Sequence, residues 1–349
     1  MKKGTPKNET LVGTDEAEVI DGLAGKDTIQ GAGGGDTIYG GLGNDVLFGF
    51  KDYEDSNFDE QWLISFGDDT DYLYGGLGND IYVLDSWIIG ERGGVLIIES
   101  PNEGTDTIIG SASKSRPAFD MPANVENYVN DTRLTDNELP IYVEINGNQS
   151  NNLIQTSPAN WNNLDRLTNA INETWNSFEK FFGGAGNDTL KSGAGDDILD
   201  GGEGNDQLMG GLDADTLIGG AGTDSMAGGK GRDTFSFEAG DNSVTQKFSD
   251  QIKDFKVSEN DQINLAGLES INCHVRDFRV ASFAAALTDA NKDFKEGKNV
   301  SIQFVGNNAL MFVDFNADTI ADGLITLSGI KAGNSAFVDY AESGAMFSL

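Results

Sequence analysis

Apolar residues recur once in every nine positions between Gly183 and Ser236, and glycines and polar residues fill the positions between them. Six units follow one another at this spacing, and they read GGAGNDTLK, SGAGDDILD, GGEGNDQLM, GGLDADTLI, GGAGTDSMA and GGKGRDTFS. The second position of each unit is Gly, the sixth is Asp and the eighth is apolar. The last residues of a unit alternate between polar and apolar, as in a short strand with one inward side chain. The period predicts an all-β solenoid, a parallel roll in which each unit adds one turn and one strand.

Two units complete one coil of such a roll, so we expect each turn to stack on the turn eighteen residues later. The sixth-position aspartates then line successive gaps: Asp188, Asp197, Asp206, Asp215, Asp224 and Asp233. Turn glycines are expected to add carbonyl oxygens in the same gaps: Gly183, Gly186, Gly201, Gly204, Gly219 and Gly222. Carboxylates and carbonyls together form an all-oxygen cage, which suits a hard cation and above all Ca²⁺. Because the stacked charges repel one another without the ion, Ca²⁺ binding and folding are expected to be one coupled event.

A flexible linker rich in glycine and aspartate is the alternative interpretation of this composition. A linker has no reason to keep an apolar residue at the eighth position through six units. The regular apolar position therefore favours the solenoid.

A second block of the same units lies near the N-terminus, in residues 11–83, with an insertion at about 50–65. Its first unit, from Gly13, carries Glu18 where the others carry aspartate. The remaining units supply five more candidate metal ligands: Asp27, Asp36, Asp45, Asp71 and Asp80. We expect this block to form a roll of its own.

The rest of the chain is less regular. Residues 84–146 lose the glycines but keep strand-like runs, which predicts a β-rich linking segment. Residues 147–182 combine a degenerate unit, with Asn152 in place of aspartate, and a predicted helix over 161–182 that packs on the solenoid or binds a partner. The main roll occupies residues 183–237, and residues 238–349 are predicted to be a β-rich cap with one short helix near Phe283.

Composition narrows the classes of partner. The formal net charge of −34 over 349 residues argues against binding to nucleic acid or to anionic membrane surfaces. The single cysteine, Cys273, excludes an intramolecular disulfide, so Ca²⁺ is expected to provide the cross-links. No apolar run reaches membrane-spanning length, and the residues at the N-terminus lack the apolar core of a signal peptide.

These units match the pattern GGxGxDxUx, and the chain resembles the RTX, or haemolysin-type calcium-binding, repeat proteins. Residues 233–268 look like the C-terminal domain of secreted serralysin-type proteases. The resemblance implies a parallel β-roll, several bound Ca²⁺ ions and export by a type I secretion machine that reads the C-terminal tail, FVDYAESGAMFSL. It therefore implies a secreted, extracellular or cell-surface protein. Glu18, Asn152 and Asp213 depart from the family pattern, which weakens the case for metal in their turns.

No constellation of catalytic residues stands out. The only histidine, His274, excludes an HExxH zinc site, and no GxSxG motif is present. Cys273 and His274 are adjacent, and we interpret them as a structural pair on a strand rather than a catalytic pair. The favoured function is a non-enzymatic surface, matrix or adhesion component whose partners include extracellular polysaccharide or a cell surface. The alternatives are an enzyme acting on polysaccharide or lipid, with its site outside the repeats, and a toxin-like effector.

Overall fold

The computed structural model describes residues 1–48, 71–84, 95–110, 119–130, 142–156, 178–239, 249–268, 270–343 and 345–348. The chain divides into two compact units, Met1–Glu173 and Thr174–Leu349, and each is described by itself. Strands dominate both of them, and the second unit also holds two α-helices within the described ranges. No helix in these ranges is both long enough and apolar enough to cross a membrane.

The first unit consists of short strands in the described ranges: β1 (Lys2–Lys3), β2 (Thr10–Val12), β3 (Val19–Asp21), β4 (Thr28–Gln30), β5 (Thr37–Leu42), β6 (Val46–Phe48), β7 (Asp71–Leu77), β8 (Ile81–Leu84), β9 (Val95–Ile97), β10 (Thr107–Gly110), β11 (Phe119–Asp120), β12 (Asn127–Asn130), β13 (Tyr142–Asn146) and β14 (Leu153–Thr156). Consecutive strands alternate between two sheets. One sheet runs in the order β1-β3-β5-β7-β9, and the other contains β2-β4-β6-β8-β10-β12-β14. Strands β11 and β13 pair in parallel with each other and belong to neither of these two sheets.

The register of the first unit follows the sequence repeat. Ile20 of β3 pairs with Ile38 of β5, and Leu11 of β2 pairs with Ile29 of β4, so each coil has eighteen residues. Ile38 then pairs with Leu73 of β7, thirty-five positions later. The longer step agrees with the predicted insertion, although residues 50–65 themselves lie outside the described ranges.

The second unit begins with seven parallel strands of the same kind: β15 (Phe178–Ala185), β16 (Thr189–Lys191), β17 (Ile198–Gly204), β18 (Gln207–Leu212), β19 (Thr216–Gly222), β20 (Ser225–Lys230) and β21 (Thr234–Phe237). Seven strands and two helices follow: β22 (Asp250–Ile252), β23 (Gln262–Leu265), β24 (Cys273–Val280), α1 (Phe283–Lys295), β25 (Val300–Val305), β26 (Asn308–Val313), β27 (Gly323–Leu327), α2 (Ser335–Glu342) and β28 (Phe347–Ser348). Within this unit the sheets run β16-β18-β20-β22-β27-β26-β25-β24 and β15-β17-β19-β21-β23-β28.

The eighth position of each repeat forms the core of the roll. Leu190 pairs with Leu208, which pairs with Met226, and all three side chains are fully buried. Leu217 and Phe235 pair in the same way in the opposite sheet. Burying one such side chain contributes about 1.5–3 kcal/mol, so a stack of them stabilises the two sheets against each other. The prediction of an all-β parallel roll built from nine-residue units is confirmed.

The C-terminal region forms a different kind of core. Strands β25, β26 and β27 are antiparallel, and α1 packs on them through Ala286, Ala290 and Phe294. Ser282 caps α1 by accepting a hydrogen bond from the backbone N–H of Ala285. The predicted helix near Phe283 and the predicted strands of this region are present, while α2 has no counterpart in the sequence analysis.

Two expected boundaries are wrong. The sequence predicts that the N-terminal roll begins at residue 11, but Lys2 of β1 already pairs with Ile20 of β3. The helix predicted over 161–182 does not extend to its expected end, because β15 begins at Phe178 and Lys180 pairs with Ile198. The part of the predicted helix up to residue 177 lies outside the described ranges.

Candidate metal sites in the glycine turns

The sixth-position aspartates form two ladders in the second unit. In the first, Asp206 Oδ1 accepts the backbone N–H of Asp188 at 2.7 Å, and Asp224 Oδ1 accepts that of Asp206 at 2.8 Å. In the second ladder, Asp215 Oδ1 accepts the backbone N–H of Asp197 at 3.0 Å, and Asp233 Oδ1 accepts that of Asp215 at 3.1 Å. All of these side chains are only 1% exposed. The turns therefore stack every eighteen residues, as the period predicts, and bury one carboxylate in each turn.

The first unit carries two ladders of the same kind. Asp45 Oδ1 accepts the N–H of Asp27 at 2.8 Å, and Asp80 Oδ1 accepts that of Asp45 at 2.7 Å. Asp71 Oδ1 accepts the N–H of Asp36 at 2.8 Å in the other ladder. All five predicted aspartates of the N-terminal block are thus placed in the ladders.

In most of the ladder turns, the second carboxylate oxygen of the aspartate lies beside the first glycine of the same turn. A Cβ atom built on Gly40 would lie 2.7 Å from Asp45 Oδ2 and 2.6 Å from the carbonyl oxygen of Gly75 in the next coil. Gly201 has the same surroundings, with Asp206 Oδ2 and the carbonyl oxygen of Gly219 beside it. Among the described residues, no hydrogen-bond donor meets Oδ2 of six aspartates: Asp27, Asp36, Asp45, Asp80, Asp206 and Asp215.

Buried carboxylate oxygens without a donor and carbonyl oxygens beside them are the donor set that a hard cation takes. A side chain on the glycine would fill the same space. The residues present therefore fit Ca²⁺.

The predicted turn glycines divide into two groups. The first glycines of the turns, Gly183 and Gly201, lie against the carboxylate of the same turn, and Gly219 lies beside Asp224 Oδ2. The fourth-position glycines lie instead at the stacking contact between coils, with φ of 129° at Gly186, 142° at Gly204 and 150° at Gly222. The second group therefore serves the close approach of the coils, because no other residue tolerates that φ together with backbone atoms so near.

Turns that carry glutamate instead of aspartate satisfy their own second oxygen. Glu18 Oε2 accepts the N–H of Thr14 at 2.7 Å, and Glu9 Oε2 accepts that of Thr5 at 2.5 Å. The longer side chain reaches back to the turn backbone, which leaves less capacity for a cation than in an aspartate turn.

Burial makes the ladder carboxylates hard to ionise without a cation. Loss of solvation raises the pKa of Asp215 to about 8, and the neighbouring charges of Asp197 and Asp233 add to the rise. The same cause raises the pKa of Asp80 to about 7 and the pKa values of Asp36 and Asp233 to about 6. A divalent cation would reverse this preference, because it favours the ionised form.

The fold is therefore expected to depend on pH in opposite ways with and without metal. In a chelator, the folded ladders hold protons that an unfolded aspartate releases above pH 3.8, so the free energy of unfolding is largest near pH 4. It falls as the pH rises above about 4 and reaches its lowest value above about 6 to 8, the range of the raised pKa values. Circular dichroism across this range in a chelator measures the effect, and a metal-free chain that gains β structure as the pH rises would contradict it. Ca²⁺ affinity is expected to increase with pH, since binding releases the protons.

The RTX calcium-binding nonapeptide repeat family matches the chain in four stretches, residues 6–47, 67–83, 178–208 and 209–244. These stretches contain the ladder aspartates that the sequence analysis singled out. The chain carries RTX calcium-binding repeats. These RTX repeats bind Ca²⁺ at multiple sites, in agreement with the buried carboxylates of the turns.

No curated protein matches the sequence of this chain. Among solved structures the chain is similar to the extracellular lipase LipA from Serratia marcescens, with 13% identity and a TM-score of 0.26. The alignment covers 94% of this chain, and the chain spans 37% of the length of that lipase.

The ladders also contain acidic residues that the sequence period did not predict, and three aspartates among them lie outside the matched stretches. Asp250 and Asp261 extend the two ladders of the second unit, accepting the N–H groups of Asp224 and Asp233 at 2.8 and 3.2 Å. In the first unit, Asp106 extends a ladder beyond Asp80, since Asp106 Oδ1 accepts the backbone N–H of Asp80 at 2.8 Å. Each begins a triplet of Asp, a polar residue and Ile, and that triplet was the available signal. Glutamates take the same place at three further turns: Glu9, Glu126 and Glu179.

The Cys273–His274 pair lies on β24, as predicted. His274 Nδ1 lies 3.0 Å from Asp293 Oδ1, and Asp293 also bonds to Arg276 and to the hydroxyl of Ser301. Asp293 is fully buried on α1, so these contacts fasten the helix to β24 and β25. The geometry accounts for His274 as part of a structural network.

Proposed function

We propose that the chain is a secreted calcium-binding protein that folds when Ca²⁺ binds outside the cell and serves as a non-enzymatic surface, matrix or adhesion component. The observation that carries the proposal is the carboxylate ladder. Its aspartates are almost completely buried, and six of their Oδ2 atoms have no donor in the described part of the chain. A chain built in this way is expected to stay unfolded at the low Ca²⁺ concentration of a cytoplasm and to fold at millimolar concentrations.

We assign the metal ligands to the ladder aspartates and the first glycines of the turns. Asp27, Asp45, Asp206 and Asp215 would supply Oδ2, and the stacked glycines would supply carbonyl oxygens. Gly186, Gly204 and Gly222 contribute to the site by letting the coils approach, as their φ values require. When bound, Ca²⁺ supplies the positive charge that the ladders lack.

Secretion is supported by the RTX repeats, which are typical of secreted proteins. We propose export by a type I machine, with extracellular polysaccharide or a cell surface as partner. The acidic surface would favour polymers that Ca²⁺ itself can bridge to carboxylates.

The role can be tested with the full chain in millimolar Ca²⁺. The protein is expected to remain on whole cells or on an acidic polysaccharide during washing and to leave when a chelator is added. The same preparation, incubated with acidic polysaccharides and with lipid esters, is expected to release no products. Product formation that depends on the folded chain would contradict the non-enzymatic role and favour the alternative of a polysaccharide- or lipid-active enzyme.

A further inference from the structure

The N-terminal glycine turns end at Gly75, where the next coil brings a glutamate instead of a glycine. Leu73 of β7 pairs with Ile97 of β9, which places Glu99 on Gly75. A Cβ atom built on Gly75 would lie within 2.5 Å of Glu99 Oε1. At Gly40, one coil earlier, the corresponding neighbour is the carbonyl oxygen of Gly75 itself. A carboxylate therefore occupies the place that a glycine carbonyl holds in the repeats.

Three carboxylates meet at this position. Oxygen atoms of Asp80, Glu99 and Asp106 lie within 4.8 Å of one another. Asp80 and Asp106 are 1% exposed and Glu99 is 8% exposed. Asp80 Oδ2 and Glu99 Oε2 have no hydrogen-bond partner among the described residues, and no lysine or arginine in the same ranges forms an ion pair with the cluster. Buried carboxylates this close need either protons or a cation between them.

Tyr82 holds Glu99 in this arrangement. Tyr82 occupies the inward eighth position, where the other N-terminal units carry leucine or isoleucine, and its ring is fully buried. Its hydroxyl donates to Glu99 Oε1 and accepts the N–H of Gly75 at 2.8 Å. Tyr82 is therefore a positioning residue, which fixes one oxygen of Glu99 and leaves the other oxygen without a donor.

We propose that Asp80, Glu99 and Asp106 form a Ca²⁺ site of a second kind, with three side-chain carboxylates where the glycine turns offer fewer. Glu99 and Asp106 both lie outside the stretches that match the RTX repeats. Because affinity for Ca²⁺ increases with the number of charged ligands, this site fills at lower Ca²⁺ concentration than the turns do. Ca²⁺ at this site therefore holds the coil of β9 against the last glycine turn before the other sites are saturated. The inference adds to the Ca²⁺ binding of the repeats and does not depend on a role outside the cell.

Calorimetric titration of the full chain with Ca²⁺, in competition with a chelator, tests the site through Glu99→Gln. The amide keeps the shape and removes the charge. We expect the tightest class of sites in the wild-type chain to lose one ion, or to weaken by about tenfold or more, while the weaker class keeps its stoichiometry. Glu103→Gln is the matched control, because Glu103 lies four residues after Glu99 and carries the same charge. Its own carboxylate accepts the N–H of Ser100 and is not part of the cluster. If Glu99→Gln and Glu103→Gln bind alike, the site does not exist.

Tyr82→Phe provides a second, independent variant. It keeps the buried ring and all three carboxylates but frees Glu99 Oε1, so the tight class is expected to weaken while the circular dichroism of the Ca²⁺-loaded chain stays unchanged. Should Glu99→Gln fail to fold, an unaltered tight class in Tyr82→Phe overturns the proposal, and selective weakening supports it. A wild-type chain that shows the tight class without the weaker one would count against Ca²⁺ binding by the glycine turns and leave this site standing.

Discussion

Removal of Ca²⁺ is expected to unfold the repeat coils of both units. Without the ion, the folded ladders would have to take up protons at neutral pH, because burial raises the pKa of Asp80 to about 7 and that of Asp215 to about 8, whereas the unfolded chain keeps the same aspartates ionised. A site filled at ten times its Kd contributes about 1.4 kcal/mol, and a whole domain is stable by about 5–15 kcal/mol. The loss of only a few filled sites therefore removes most of the stability of a roll.

The measurement is far-ultraviolet circular dichroism at neutral pH, first in excess chelator and then in excess Ca²⁺, together with the hydrodynamic radius. The β signal is expected to disappear and the radius to increase in chelator, and both are expected to recover with Ca²⁺. Mg²⁺ at the same concentration is the control, and it should restore less structure, because it requires near-ideal octahedral geometry and gives up its water reluctantly. A spectrum that does not change on chelation would disprove coupled binding and folding.

Replacement of Gly204 by alanine is expected to cost about 3–5 kcal/mol of the free energy of unfolding in Ca²⁺. Gly204 has φ of 142°, which an L side chain rarely adopts. A Cβ atom there would also overlap the backbone carbonyl of Gly186 in the preceding coil. That carbonyl cannot move away without separating β15 from β17, where Gly184 pairs with Gly202.

Gly306→Ala is the matched control for this prediction. Gly306 has φ of 66° in the turn between β25 and β26, and no atom lies within 4 Å of a Cβ built on it. Alanine there has only the cost of the backbone conformation, about 1–2 kcal/mol. Urea unfolding of both variants in saturating Ca²⁺ measures the additional cost at Gly204, which combines its larger φ with the overlap on Gly186. Equal losses would show that neither the larger φ nor the close stacking of the coils adds to the cost of a left-handed turn.

The sequence period was sufficient to predict the roll, because the eighth-position side chain and the sixth-position carboxylate both repeat at the length of half a coil. Leu208 and Asp206 are placed where that period puts them. The period failed where glycine is absent. Asp250 and Asp261 keep only the short Asp-x-Ile triplet. They follow their ladder partners Asp224 and Asp233 by 26 and 28 residues instead of eighteen, so the nine-residue period does not predict these pairs.

Two other failures have different causes. The helix over 161–182 is predicted from apolar residues at three- and four-residue spacing, which are Leu164, Leu167, Ile171, Trp175 and Phe178. Phe178 nevertheless begins β15, and Phe181 is a core residue of that strand. Glu99 could not be identified as a ligand, because its place depends on which residue of β7 pairs with β9. Only the strand register brings it to Gly75.

The ladders give the roll a polarity. In the second unit, every aspartate N–H is accepted by a carboxylate of the coil that follows it in the chain, and the final acceptors are Asp250 and Asp261. Asp250 is the first residue of β22 and Asp261 directly precedes β23, and these two strands pair with β27 and β28 of the C-terminal region. A coil that forms first at the N-terminal side would bury N–H groups with no acceptor, at a cost of about 1–3 kcal/mol each. We therefore expect the coils to form from the C-terminal region towards Glu179, because each new coil then meets acceptors that are already in place.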